Sequence, residues 1–126
     1  MADHTDPAWI GLQGPDLTVT IDLERTVPVR QVAALFLESV GVGIYLPARV
    51  ELSLSTDGET FAPLPAVARP SSRPDAAWVH RFVVDADGRE ARYVRLRAVN
   101  PGRIASGAPG AGTGSWLFLS ELLVNP

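Results

Sequence analysis

The feature that most constrains the fold is a repeated alternation of apolar and polar residues in short runs. In the stretch DLTVTIDLE, residues 16–24, every second residue is apolar and the residues between are polar or acidic. The apolar set consists of Leu17, Val19, Ile21 and Leu23. Because a period of two places one set of side chains on one face of an extended chain, the stretch predicts a half-buried β-strand.

Further runs repeat this plan. Residues 48–64 are typical of strand, turn and strand, with Asp57-Gly58 as the turn and with inward-facing Val50, Leu52 and Leu54. Residues 78–100 predict a second such hairpin, with Asp87-Gly88 as its turn, and residues 115–125 predict a last strand. The eleven prolines and eleven glycines lie mostly between these runs, as the loops of a β-sandwich require.

The pattern leaves the secondary structure of two segments less certain to assign. The apolar segment 29–39 is the best helical candidate in the chain, but its β-branched start suits a strand equally well. Residues 66–77 are the most polar and least patterned stretch, which indicates a surface loop.

Composition bounds the remaining possibilities. A chain of 126 residues, 46% hydrophobic and 20% charged, predicts a single globular domain spanning 1–126. The absence of cysteine excludes disulfides and thiolate chemistry, and a net charge of −3 argues against nucleic-acid binding. No apolar run approaches the ~20 residues of a membrane-spanning helix, and the first residues lack the pattern of a signal peptide.

The glycine-rich stretch GAPGAGTGSW, residues 107–116, could be a phosphate loop, a linker or a loop between strands. A phosphate loop needs a following helix and a lysine; a strand-like run follows, and all eleven basic residues are arginine. A linker would not lead directly into a strongly apolar strand. The stretch therefore predicts a loop that joins two strands.

Several segments in this order resemble the discoidin, or coagulation-factor type C, domain, a galactose-binding-like sandwich. Residues 9–23 resemble its opening aromatic and its strand ending in Ile-Asp-Leu, and residues 36–61 its central hairpin with Leu-Pro and Ser-x-Asp-Gly. Residues 91–100 and 112–124 are similar to its last two strands. The version appended to bacterial β-hexosaminidases is the most similar subgroup.

The resemblance implies an all-β, antiparallel jelly-roll β-sandwich of about eight strands. It also implies a non-catalytic accessory module that binds carbohydrate through loops at one end. The alternative is a structural or protein-interaction domain with no sugar site. The implied partners are a carbohydrate ligand and a neighbouring domain of a larger, glycosidase-like protein, outside the cell or at its surface if that protein is secreted.

In this family a calcium ion often lies near the N-terminal loop, in contact with a late glutamate, and Glu121 stands at that position. Only MADHTDPA precedes Trp9, so the expected first strand and its calcium ligands are shortened or lost. A missing first strand would leave an edge open to self-association.

The loops around 39–45 and 100–115 correspond to the ligand loops of the resemblance. Within them, residues 41–45 and 104–112 hold glycine and alanine at the places where the hexosaminidase-linked version tends to carry tryptophan or histidine. Sugar sites depend on aromatic faces and a few fixed polar groups. The remaining candidate ligand-binding residues are Ser39, Tyr45, Asn100 and Arg103. Sugar binding is therefore expected to be weak.

Catalysis is not expected. With two histidines, His4 and His80, and no cysteine, no nucleophilic triad can be assembled, and His80 is interpreted as an ordinary strand residue. The arginines at 92, 95 and 97 could bind an acidic partner, but those at 95 and 97 also fit a solvated strand face. Trp9 and Trp116 are interpreted as caps at the ends of the core. The carboxylates that could form a glycosidase pair are Asp16, Asp22, Asp57, Asp85, Asp87 and Glu121.

Overall fold

The computed structural model describes residues 4–6, 10–73, 76–104, 106–108 and 110–126, with side chains from residue 10 onward. Trp9 and the side chain of His4 lie outside these described parts. Within them, no helix is both long and apolar enough to span a membrane.

Eight β-strands account for nearly all the regular structure of the described residues. One short 3₁₀ turn, Val40–Val42, lies between the third and fourth strands. The strands are β1 (His4–Asp6), β2 (Ile10–Gln13), β3 (Leu17–Glu38), β4 (Arg49–Ser55), β5 (Ala62–Pro63), β6 (Val67–Ala68), β7 (Trp78–Val99) and β8 (Trp116–Val124). All of their pairings are antiparallel, as the sequence predicts.

The two 22-residue strands, β3 and β7, each contribute to both layers of a sandwich. Residues 27–38 of β3 pair with 78–91 of β7 and with β8, which in turn pairs with β1 and β2; we call this layer one. The start of β3 pairs with the end of β7. The end of β7 also pairs with β4, which in turn pairs with β5 and β6; we call this layer two.

A single core lies between the layers. Leu17 and Leu96 of layer two and Phe36 and Phe82 of layer one belong to one buried cluster. The rings of Phe36 and Phe82 meet edge to face with centroids 5.7 Å apart. The predicted inward residues of β4 are buried, and those of residues 16–24 are buried or half-buried, so the period-two pattern identified the core face correctly.

The segment 29–39 is a strand, not a helix, and it continues the strand that begins at Leu17. The prediction of a hairpin turn at Asp87-Gly88 is wrong. The chain does not reverse there, because Asp85 and Arg89 both pair with β3, opposite Gln31 and Val29. Asp87 and Gly88 form a bulge with φ of 55° and 76°, opposite Arg30 of β3.

The other turn predictions fit. Asp57 and Gly58 form a turn in which the Asp57 carboxylate accepts hydrogen bonds from the backbone N–H groups of Glu59 and Thr60. These bonds, first that from Thr60, lower the pKa of Asp57 to about 2. The loop 66–77 is mostly exposed, although β6 forms within it.

The first strand is shortened but present. β1 pairs with Leu122–Val124 and β2 pairs with Trp116–Leu119, so both cover the outer edge of β8. The expectation of an uncovered edge left by a missing first strand is therefore wrong, and self-association cannot be argued from that edge.

Candidate functional site

Three connections converge at one end of the sandwich: residues 13–16, residues 39–48 and residues 100–115. We call this the loop end. Backbone hydrogen bonds join the three connections, from Gly14 N–H to Ser115 O at 3.0 Å and from Tyr45 N–H to Trp116 O at 3.0 Å. The Trp116 N–H donates in turn to Gly43 O at 2.9 Å. The loops thus form one connected surface.

The glycine-rich loop is a small closed hairpin. Ile104 N–H donates to Thr113 O at 2.9 Å, and Gly112 N–H donates back to Ile104 O at 3.0 Å. At its base, the Ser115 hydroxyl donates to Gly102 O at 2.6 Å. The prediction of a strand-to-strand loop is confirmed for the described residues, and the loop's own backbone bonds organise it.

Asp16 anchors the base of the loop end. Its carboxylate accepts the Asn100 backbone N–H at 2.8 Å and a guanidinium N–H of Arg97 at 2.8 Å. The Asn100 bond, followed by the charge and hydrogen bond of Arg97, outweighs the opposing effect of burial, so the pKa of Asp16 lies below its usual value. An ionised Asp16 therefore holds the start of β3 to the end of β7.

A shallow, open pocket of about 230 Å³ lies at the loop end. All three connections contribute to it, and its volume lies below the ~300–1,000 Å³ of pockets that bind drug-sized ligands. Its lining consists of Gln13, Gly41, Val42, Gly43, Ile104, Gly110, Thr113 and Trp116.

The structure brings the four predicted ligand residues to the loop end, but none of them lines this pocket. Ser39 and Ile44 exchange backbone hydrogen bonds that close the 3₁₀ turn. Asn100 donates from its amide to Ser115 O at 2.9 Å and accepts Gly102 N–H at 2.8 Å, so its side chain holds the loop. Tyr45 is half-buried. Arg103 is exposed, with a 3.4 Å hydrogen bond to Gly112 O.

Sequence reasoning missed the residues that do line the pocket. Val42 is 68% exposed at the tip of its turn, and Gln13 crosses from β2 to donate to Gly114 O at 3.1 Å. Trp116, interpreted as a core cap, is half-buried and lines part of the pocket. The signal available was the pair of glycines that flank Val42, which leave it without larger neighbours in sequence.

The calcium expectation finds little support in the described side chains. Glu121 pairs with Leu35 on the outer face of layer one, whereas a Ca²⁺ site takes 6–8 oxygen ligands. Among the described residues, no group of three or more acidic, histidine or cysteine side chains could hold a metal. The other expected ligands fall in residues 1–9, whose side chains are not described.

Glu38 forms a separate buried cluster next to the loop end. Its side chain is fully buried and accepts hydrogen bonds from Trp78 Nε1–H and Arg73 N–H, both at 2.8 Å. Burial raises the pKa of Glu38, but these hydrogen bonds outweigh it and the pKa lies below its usual value. Arg73 also stacks on Trp78 at 4.0 Å. The carboxylate thereby fixes part of the loop 66–77.

His80 behaves as a strand residue. Its ring packs edge-on between Trp78 and Phe82, and burial, with a contribution from the charge of Arg73, lowers its pKa. Burial thus favours the neutral form of the imidazole.

The arginine stripe is paired or stacked on layer two. Arg92 holds Asp22 through two hydrogen bonds of 2.8 and 2.9 Å, and Arg97 bridges Asp16 and Glu51. Arg95 stacks over Phe61 at 3.9 Å. A groove of about 370 Å³ lies on this face. It is larger than the loop-end pocket, but Arg97 and Glu51 within it are already partners, so we place the candidate site at the loop end.

Comparison with known proteins finds solved structures only. No family model matches the sequence, and no curated protein matches it. The C-terminal domain of a Bacteroides fragilis chitobiase matches with a TM-score of 0.54 at 23% identity, over 87% of this chain and 62% of that chain. The chain thus spans less than two thirds of that domain's length.

Two carbohydrate-binding modules from Clostridium perfringens also match. A CBM32 module solved in complex with GalNAc-β-1,3-galactose has a TM-score of 0.62 at 15% identity, over 94% of this chain and 75% of that chain. CBM32-3 from a family 31 glycoside hydrolase has a TM-score of 0.59 at 14% identity, over 93% and 70%. These likenesses show that the chain has the galactose-binding-like sandwich fold of such modules, as predicted.

Proposed function

We propose that the chain is a non-catalytic carbohydrate-binding module of a larger, glycosidase-like protein, and that it binds sugar weakly at the loop end. The observation that carries the proposal is the pocket in which three connections meet and which Trp116 helps to line, on a fold shared with sugar-binding modules. An aromatic ring next to fixed polar groups is the chemistry that sugar rings require.

Weak binding follows from the lining. Gly41, Gly43 and Gly110 offer no side chain, and the Gln13 amide is already bonded to Gly114 O. Thr113 likewise donates its hydroxyl to Gly110 O at 2.6 Å. A ligand would therefore gain mainly from contact with Trp116 and Val42, with Arg103, Tyr45, Asn100 and Ser39 at the margin.

The absence of catalysis is part of the proposal and is supported by the carboxylates. A glycosidase needs one carboxyl group with a raised pKa as its general acid. Among the described residues, every carboxyl group with a resolved pKa shift is shifted downward, including Asp16, Asp22 and Asp57. Each of these three is held ionised by arginine or backbone N–H groups.

A purely structural or protein-interaction domain is the second candidate. It is favoured by Asn100, whose amide is fully engaged by the loop backbone, and by the glycines of the pocket. The two candidates differ in whether any sugar binds at the loop end.

The test is calorimetric titration with galactose, N-acetylglucosamine and N-acetylgalactosamine. We expect a millimolar dissociation constant for at least one sugar, and we expect Trp116→Ala to abolish binding. Arg103→Ala should weaken binding several-fold, whereas the matched control Arg95→Ala, on the outer face of layer two, should not change it. Equal effects of the two arginine variants would place Arg103 outside the sugar site, and no binding to any sugar would favour the structural alternative.

Calcium remains a prediction that depends on Glu121. A ligand that binds only the folded state at 100 times its dissociation constant adds about 2.7 kcal/mol of stability. We therefore expect millimolar Ca²⁺ to raise the melting temperature by several degrees relative to EDTA, and Glu121→Gln to remove that rise. An unchanged melting temperature in the unsubstituted protein would exclude a calcium site that stabilises the fold.

A further inference from the structure

The outer face of layer one is apolar. Residues of β3 that point away from the core lie between outward residues of β7 and β8. Three rows cross the strands: Val79–Leu37–Phe118, Arg81–Leu35–Glu121 and Val83–Ala33–Leu123. The exposed large hydrophobic residues of the described chain are Val42, Val79 and Val83, and two of these three lie on this face.

The first row is extended onto β2, where a glycine makes room for the Phe118 ring. The Phe118 ring lies over Gly11, where a Cβ would come within 2.8 Å of the ring. Only a glycine leaves room for the ring in this position. The ring of Trp116 lies 5.8 Å from that of Phe118, so the apolar surface spans β7, β3, β8 and β2.

The middle row carries opposite charges on its two sides. Arg81 lies on β7 and Glu121 on β8, with Leu35 between them. Among the described residues, neither Arg81 nor Glu121 belongs to an ion pair. The face therefore carries the positive charge of Arg81 on one side of Leu35 and the negative charge of Glu121 on the other.

We propose that this face binds a second copy of the chain about a two-fold axis parallel to β3. That rotation exchanges the two sides of each row. Arg81 of one copy then faces Glu121 of the other, twice, while Leu35 meets its own equivalent on the axis. In the same way Val79 faces Phe118 and Val83 faces Leu123 of the other copy.

The occupant is a second copy because the pattern is self-complementary. An isologous interface requires each surface patch to match itself after a two-fold rotation. Opposite charges at equal distances from an apolar centre meet that requirement, and they also oppose the other face-to-face arrangement, with the axis across the strands, in which like charges would meet. The alignment of strand directions suits the way two sheets pack face to face.

The expected strength follows from the size of the face. Four strands about 4.8 Å apart and about seven residues long give a footprint of roughly 450 Å² on each copy. This is at the small end of specific interfaces. We therefore expect a reversible dimer with a dissociation constant in the micromolar range.

The experiment is sedimentation equilibrium of the chain in EDTA, which removes any effect of calcium at Glu121. The unsubstituted chain should dimerise in the micromolar range. Arg81→Glu and Glu121→Arg should each weaken self-association at least about tenfold, because each places like charges opposite each other. Arg95→Glu, a matched change on the opposite face, should leave the dissociation constant unchanged.

Two rescues distinguish this geometry from general repulsion. The double variant Arg81→Glu with Glu121→Arg should dimerise like the unsubstituted chain. An equimolar mixture of the two single variants should form a mixed dimer, although neither variant forms its own. A monomer at all concentrations up to a millimolar, or a dimer unaffected by either single change, would overturn the proposal and leave the face to another domain.

Discussion

Gly114 lies where two loops of the candidate site approach within van der Waals distance. A Cβ on Gly114 would come within 3.0 Å of the Gly14 Cα, a backbone atom that cannot turn aside. Gln13 and Ser115, on either side of this contact, carry the hydrogen bonds that join the first and third loops. The residue types at the loop end are therefore set as much by close packing as by ligand chemistry.

Gly114→Ala should lower the free energy of unfolding by about 1–3 kcal/mol, because the two backbones must separate. Gly41→Ala is the control, since its Cβ would meet nothing within 4 Å and its φ is not in the left-handed region. That change should be within about 0.5 kcal/mol of neutral. Urea unfolding measures both, and a neutral Gly114→Ala would show that the loops do not depend on this contact.

Glu38 gives the stability a specific pH dependence. Its folded pKa is lowered, so its stabilising effect is complete above the unfolded pKa of about 4.3 and is lost as pH falls through the lower folded value. Glu38→Gln keeps an oxygen acceptor for Trp78 and Arg73 but removes the charge.

We expect Glu38→Gln to cost about 1 kcal/mol at pH 7, the difference between a charged and a neutral acceptor. The difference in unfolding free energy between the variant and the unsubstituted protein should shrink below about pH 4. Urea unfolding in steps from pH 7 to pH 3.5 measures it. A gap that stays constant with pH would contradict an ionised Glu38 in the folded protein.

At the scale of strands, β3 and β7 each serve two layers, and irregularities interrupt their pairing between the two ends. Residues 86–88 of β7 lie opposite the single residue Arg30 of β3, and β3 has its own irregularity between Asp22 and Val27. The added twist of a bulge lets a strand turn out of one sheet and into the next. The sandwich is thus built on two bent strands and not on separate hairpins.

Gly88→Ala should destabilise the protein by about 1–2 kcal/mol, since φ is 76° and the cost is backbone conformation alone, with open space around the Cβ. Gly88→Asn is the matched control, because asparagine tolerates the left-handed region better. Guanidinium unfolding should therefore rank glycine, asparagine and alanine in falling stability. Equal stability of the alanine and asparagine variants would show that the bulge relaxes.

The same strands show how far the sequence alone could lead. Alternation identified the inward faces of residues 16–24 and of β4, because burial of one sheet face imposes a local period of two. It could not reveal that residues 17–38 form one strand, since continuity depends on pairing with a distant β7. Asp-Gly marks a positive φ in both places, but only pairing decides between a turn and a bulge.

At the loop end, sequence reasoning located the loops but not the pocket. The sequence-based choice favoured side chains that can hydrogen-bond a sugar. Asn100 can do so, but its amide already donates to Ser115 O and accepts from Gly102 N–H. The pocket residues Val42 and Ile104 became visible only when the backbone bonds between the connections were known. Such contacts join residues far apart in the chain and leave no local pattern.

At the scale of the whole molecule, the two layers present surfaces of different chemistry. The loop end carries an open pocket that Trp116 helps to line, whereas the outer face of layer one is apolar and layer two carries arginine ion pairs. Trp116 lines the pocket and its ring also borders the apolar face, so the proposed sugar site and the proposed dimer interface are neighbours.

Binding of sugar at the loop end is the central claim, and mapping by NMR tests it most directly. The isotope-labelled chain would be titrated with galactose, N-acetylglucosamine and N-acetylgalactosamine, each with and without calcium. We predict saturable shifts confined to residues 13–16, 39–45 and 100–116, with the Trp116 indole N–H among them. Shifts that centre on the groove between β4 and β7, or no shifts at millimolar sugar, would contradict the claim.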